Sequence, residues 1–197
     1  MLETQAPLSP AQVDALRQLA SLGSADAVRS LGHLLGTAVE GAKVRSHFAS
    51  STSLAQVLGA QGPAFAAHFT VEGGARLRVL IYFTVEGATL MAGLLLGTPL
   101  EGRSAIYSSA LAEACNILVS SYVGGVGAGV GLTLVPSIPH VAIGALEDAV
   151  QAAFGDLASP LLLVTDLRLP GVRFAGRIVA APEDAGLPRL LSGMGAA

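Results

Sequence analysis

Residues 9–36 read SPAQVDALRQLASLGSADAVRSLGHLLG, and 95 positions later, over residues 104–131, the chain reads SAIYSSALAEACNILVSSYVGGVGAGVG. In this alignment Asp14 falls on Ser109, Gln18 on Glu113, Ser21 on Asn116 and Gly36 on Gly131. The first stretch is a good amphipathic helix, with Ser9 as N-cap and Pro10 at the first helical position. The segments after the two helices are also alike. After the first come a strand candidate (38–48), a short helix candidate (53–58) and two β-rich runs, 64–71 and 76–85, with 90–96 as a further strand candidate. After the second come a strand at 132–136, a short helix at 142–154 and the runs 161–169 and 172–180. The turns Glu72-Gly73-Gly74 and Pro170-Gly171 sit at matching places between the paired strands. The order helix, strand, short helix, hairpin thus occurs twice. Neither copy can bury its apolar face alone, so the expectation is one α+β domain spanning 1–197, built from repeats at about 8–97 and 103–190. Two long helices would pack on a largely antiparallel sheet about a pseudo-twofold axis.

Composition agrees with a packed domain. Apolar residues make up 52% and charged residues 13% of the 197 positions, which argues against disorder. A net charge of −3 without a basic cluster argues against nucleic acid and anionic membrane surfaces. The single cysteine, Cys115, has no partner for an internal disulfide, which fits a reducing, cytoplasmic setting. The N-terminal MLETQAPLSP has neither the basic nor the apolar segment of a signal peptide. Between Glu113 and Glu147 lie 33 residues without a formal charge, more than the ~20 that span a bilayer. Asn116, Ser120, Ser121, two prolines and the glycines at 124, 125, 127, 129 and 131 interrupt that stretch, so a buried helix followed by a strand is the better reading.

Chemistry concentrates on the second long helix. At about 100° per residue, Ser109, Glu113 and Asn116 fall within about 60° of one another. One face therefore carries a hydroxyl, a carboxylate and an amide among the small residues Ala105, Ala112 and Ser120. Pro139 follows Asn116 after 22 intervening positions. The pattern Ser/Asp-x3-Glu-x2-Asn-x22-Pro resembles the signature of the CheC/CheX/FliY phosphatases of bacterial chemotaxis, and each of its positions is met here. The first half keeps an acid at Asp14 but has Gln18 and Ser21 where the family's other site has Glu and Asn, and no proline near Val44. The chain therefore resembles a CheC-like protein with one intact site and a degenerate first one.

That resemblance implies hydrolysis of the aspartyl phosphate of a CheY-like response regulator, in the cytoplasm. Asn116 would position the attacking water and Glu113 would dock on the regulator's active-site lysine. Ser109 and Pro139 would touch or shape the site. The chain itself would bind no cofactor or metal, since Mg2+ belongs to the regulator. It equally admits a non-catalytic adaptor of the chemotaxis or flagellar switch system, for example one that binds CheD. With both halves in one chain, a monomer is expected.

Other motifs lead elsewhere less well. The run of glycines at 124, 125, 127, 129 and 131 matches no nucleotide-binding loop and suggests close packing, with the helix ending near Val123. His33, His47, His68 and His140 are scattered, without metal-ligand spacing. Cys115 points away from the polar stripe and reads as a buried thiol.

Overall fold

The computed structural model describes residues 7–97 and 105–196. Along the described chain the elements run α1 (Pro10–Leu35), β1 (Glu40–Gly41), β2 (Arg45–Phe48), α2 (Leu54–Leu58), β3 (Pro63–Gly73), β4 (Leu77–Thr84), α3 (Val85–Leu96), α4 (Ala105–Val130), β5 (Leu134–Pro136), β6 (His140–Ala145), α5 (Leu146–Phe154), β7 (Leu161–Leu169), β8 (Val172–Pro182) and α6 (Leu187–Gly193). The fold is α+β, as expected. The strands form one antiparallel sheet of eight, ordered β1-β7-β8-β4-β3-β5, with β2 also on β7 and β6 also on β3.

Local sequence starts and stops the helices. Ser9 Oγ accepts from the Gln12 N–H while Gln12 Oε1 accepts from the Ser9 N–H, closing a capping box at the start of α1. Gly36, at φ 62°, ends that helix in the left-handed conformation. Thr84 Oγ1 caps α3 by accepting from the Gly87 N–H, and Gly97 ends it.

The sheet is buried on both faces. On β3, Phe65, Ala67, Phe69 and Val71 point toward α1, α3, α4 and α6, where they join Leu16, Leu31, Leu111, Leu118 and Tyr122. Ala64 and Ala66 point the other way, into a second core with Leu54 of α2 and Leu146, Val150 and Phe154 of α5. Period-two alternation sorts one strand between two cores, and each large apolar side chain so buried contributes about 1.5–3 kcal/mol.

The halves are interleaved. β1 and β2 pair with β7, while β5 and β6 pair with β3, so each half's first strands complete the other half's hairpin. The two hairpins meet at the β4–β8 pairing in the centre of the sheet.

Four expectations are corrected. Residues 90–96 are not a strand but the second half of α3, because the Thr84 cap starts a helix immediately after β4. The helix foreseen at 142–154 begins at Leu146; residues 140–145 pair with β3 instead, and Glu147 and Asp148 supply the acidic first turn. The strand foreseen at 38–48 is broken into β1 and β2. The second long helix runs on to Val130, through its glycines.

Those glycines are the reason the long helices can lie together. A Cβ on Gly23 would stand 2.6 Å from the Tyr122 carbonyl oxygen and 2.8 Å from Val126 Cγ2. One on Gly125 would stand 3.0 Å from Gly23 Cα and from the Leu22 carbonyl oxygen. One on Gly129 would meet Leu19 and Leu22. The helices therefore touch backbone to backbone at Gly23 and Gly125. Farther along, Ser121 Oγ donates to Ser30 Oγ at 2.7 Å.

Substitution separates this packing from helix propensity. Gly23→Ala is expected to lower stability by about 2 kcal/mol through overpacking against fixed backbone. Gly124→Ala, which meets nothing within 4 Å, should raise it by up to about 1 kcal/mol. Urea unfolding midpoints of the two variants, moving in opposite directions, check both.

Candidate functional site

Helix α4 presents the stripe because its other side is committed to the core. Leu111, Ala114, Cys115, Leu118 and Tyr122, at helical spacing, are buried against the sheet and α1. The opposite side leaves Ser109, Glu113 and Ser120 exposed, with Ala112 and Asn116 half-buried. Cys115 is wholly enclosed, and burial pushes its thiol far up, so it stays protonated and unreactive.

Pro139 is half-buried in the connection from β5 to β6. Helix α4 packs on β5. The connection is pinned to β3 from both sides: the Ser137 N–H donates to the Thr70 carbonyl at 2.8 Å, and the Thr70 N–H donates to Ser137 Oγ at 3.2 Å. Ser137 Oγ in turn donates to the Ile138 carbonyl. Two prolines and these bonds hold the segment rigid, and leave Ile138 80% exposed.

The first half carries different chemistry at the matching positions. Asp14 forms an ion pair with Arg17, one turn on, and Ser21 Oγ donates to the Arg17 carbonyl at 2.8 Å. Gln18 is exposed. A groove of about 190 Å³ runs between α1 and the β1–β2 connection, lined by Ser21, Ser24, Val28, Lys43, Val44 and Thr165. Ser24 and Thr165 hydroxyls satisfy each other at its floor, 2.7 Å apart. Ser21 and Val44, the counterparts of Asn116 and Pro139 in the 95-residue alignment, thus line one groove.

One constellation escaped the sequence reading. His68 on β3 and His140 on β6 lie directly opposite in the register, with rings stacked 4.9 Å apart. They are 72 positions apart in the chain, and only the pairing of β6 with β3 joins them. Burial, then the neighbouring His140, then Arg78 hold the His68 imidazole below its usual value. Arg78 is itself tied to Glu183 and Asp156. Among the described residues no group of three or more His, Cys, Asp or Glu is placed to hold a metal ion. No helix among them is long and apolar enough to cross a membrane.

No protein-family model matches the chain. No curated protein matches it either. Solved structures do. FliY of Thermotoga maritima superposes with a TM-score of 0.77 at 15% identity, over 96% of this chain and 98% of that one. The FliM middle domain from H. pylori gives 0.68 at 13% identity, over 94% and 99%. The chemotaxis protein CheX from Desulfovibrio desulfuricans gives 0.61 at 12% identity, over 84% and 99%. At these identities the likeness is one of fold: the chain has the fold of the CheC/CheX/FliY proteins.

His68 makes stability depend on pH. A folded-state value below the ordinary ~6.5 means that the folded protein binds the His68 proton less readily than the unfolded chain. Stability is therefore full above that ordinary value and falls as pH drops from it through the lowered folded value. Chemical denaturation across this window should show the loss, and His68→Gln should flatten it.

Proposed function

We propose that this chain is a phosphatase of the chemotaxis type, which hydrolyses the aspartyl phosphate of a CheY-like response regulator through Asn116 and Glu113. The observation that carries the reading is the outward stripe of α4. Glu113 is exposed and Asn116 half-exposed on a helix whose inner side is locked into the core, on the fold shared with CheX and FliY. The small residues beside them let a partner's active-site pocket come close.

An acyl phosphate is a mixed anhydride and already activated, and the regulator supplies its own Mg2+ and lysine. What remains is to order a water in line with the scissile P–O bond. The Asn116 carboxamide suits this: its oxygen accepts from the water while its NH2 donates to a phosphoryl oxygen. Attack then forms the new P–O bond as the bond to the aspartyl oxygen breaks, releasing phosphate and free carboxylate. Glu113, one turn earlier, pairs with the regulator's lysine and becomes desolvated on docking, which strengthens the pair relative to an exposed one. Ser109 extends the contact, and the pinned segment bearing Pro139 forms the shoulder of the site. In the first half Asp14, Gln18 and Ser21 offer no carboxamide at the position of Asn116, so that half is catalytically silent.

The structural neighbours FliY and FliM favour a second reading, a non-catalytic adaptor of the chemotaxis or flagellar switch system; a complex of FliG with FliM from H. pylori is among the solved structures of this fold. CheD or a switch component would then be the partner.

Decay of phosphorylated CheY-like regulator in Mg2+ decides between the two. The first reading expects acceleration by the wild-type chain. Asn116→Ala should reduce it by about 10²-fold, as expected for lost positioning, with binding largely kept. Glu113→Ala should weaken both binding and rate. Unchanged decay, with a CheD or switch-protein complex that survives both substitutions, sinks the phosphatase and supports the adaptor.

A further inference from the structure

Tyrosines apart, Ser24 and Thr165 are the polar side chains that lie buried among the described residues, at 5% and 2% exposure. Both line the same groove beside α1, with a volume of about 190 Å³, and their hydroxyls meet there at 2.7 Å. Two hydroxyls carry two protons, and the shared bond uses one. The other has no acceptor among the described residues. A buried donor left unused is costly, and packing does not demand one here. The residue 95 positions on from Ser24 is Val119, which is buried in the core.

Above this floor the groove carries one charge. Lys43 lines it, is exposed, and forms no ion pair among the described residues. No Asp or Glu is among the lining residues. The carboxylates around it are matched by other groups. Asp14 is held by Arg17, Asp26 by Arg29, and Asp166, next to Thr165, by both Arg45 and Arg177. Glu40 lies opposite Arg168 in the strand register. The remaining walls are apolar, with Ala25, Val28 and Val44 among them.

We propose that this groove binds a small aliphatic carboxylate, its head on the Lys43 ammonium and the unused hydroxyl proton, its short body against Ala25, Val28 and Val44. The donors set the sign of the ligand: an ammonium and an O–H, with no acid beside them, suit an oxyanion and repel a cation. The apolar walls set its other end, because inorganic phosphate would bring only a hydrated surface to them. The volume sets its size, being below the ~300 Å³ at which drug-sized pockets begin. In the second half the positions of Ser24 and Lys43 carry Val119 and Ile138, so the site belongs to the first half alone. The inference is independent of whether Asn116 and Glu113 are catalytic.

Titration of the 15N-labelled full chain with sodium butyrate, followed through its amide chemical shifts, tests the proposal. The expected result is a saturable change at Ser24, Val28, Lys43 and Thr165 in the millimolar range, with an unfolding midpoint that rises with butyrate. Butan-1-ol has the body without the charge, and inorganic phosphate the charge without the body; each should bind at least about tenfold more weakly. Lys43→Met should weaken butyrate binding by about tenfold or more. Ser24→Ala combined with Thr165→Val removes both hydroxyls and leaves no unmet donor, so it should fold and bind butyrate about tenfold more weakly. Lys43 is exposed, so its variant keeps the test readable if the double variant does not fold. Shifts that fail to saturate, that survive Lys43→Met, or that phosphate reproduces at equal concentration overturn the proposal. So does a folded double variant that binds butyrate as tightly as the wild type.

Discussion

Everything on the helical side of the sheet depends on how closely α1 and α4 approach. The contact is backbone against backbone at Gly23 and Gly125, with Tyr122, Val126, Leu19 and Leu22 closed around it. Dispersion falls steeply with separation, so an added methyl group at the crossing would open gaps along both helices. The helix propensity lost at the α4 glycines is the cost of that closeness. The same closeness aims the polar stripe: once Leu111, Cys115, Leu118 and Tyr122 are seated, Ser109 and Glu113 have no direction left but outward.

The sheet imposes a second constraint. Because β1 and β2 complete the hairpin of the other half, and β5 and β6 that of the first, neither half has a finished sheet of its own. The repeats are bound by hydrogen bonding as well as by apolar burial, and they must form together. The exchange also positions the candidate site. Pro139 belongs to the second half, yet its segment is fixed by Thr70 of the first. The geometry beside α4 is therefore a property of both halves.

Duplication left the halves free to diverge where packing does not hold them. The groove beside α1 is lined by Ser21, Lys43 and Val44, while the positions 95 residues on carry Asn116, Ile138 and Pro139. These differences lie on the surface, where a substitution changes what can be bound without disturbing either core.

The sequence by itself determined the duplicated order of elements, the two long helices, the hairpins and the spacing that sets Ser109, Glu113 and Asn116 on one face. These are local matters: caps, turns and periodicity act within a few residues, so they can be read along the chain. Residues 90–96 misled because a short apolar run fits strand and helix alike, and the Thr84 cap outweighed it. The glycines of α4 misled because propensity opposes a helix there and only the face of α1 rewards one. Tertiary structure alone decided the strand exchange, the stacking of His68 on His140, the bonding of Ser137 to Thr70 and the exposure of the whole of β6. Each of these joins residues far apart in the chain, and the physical reason is common to all: strand pairing is chosen by which edges and faces are left after the cores close, a choice that no local pattern records.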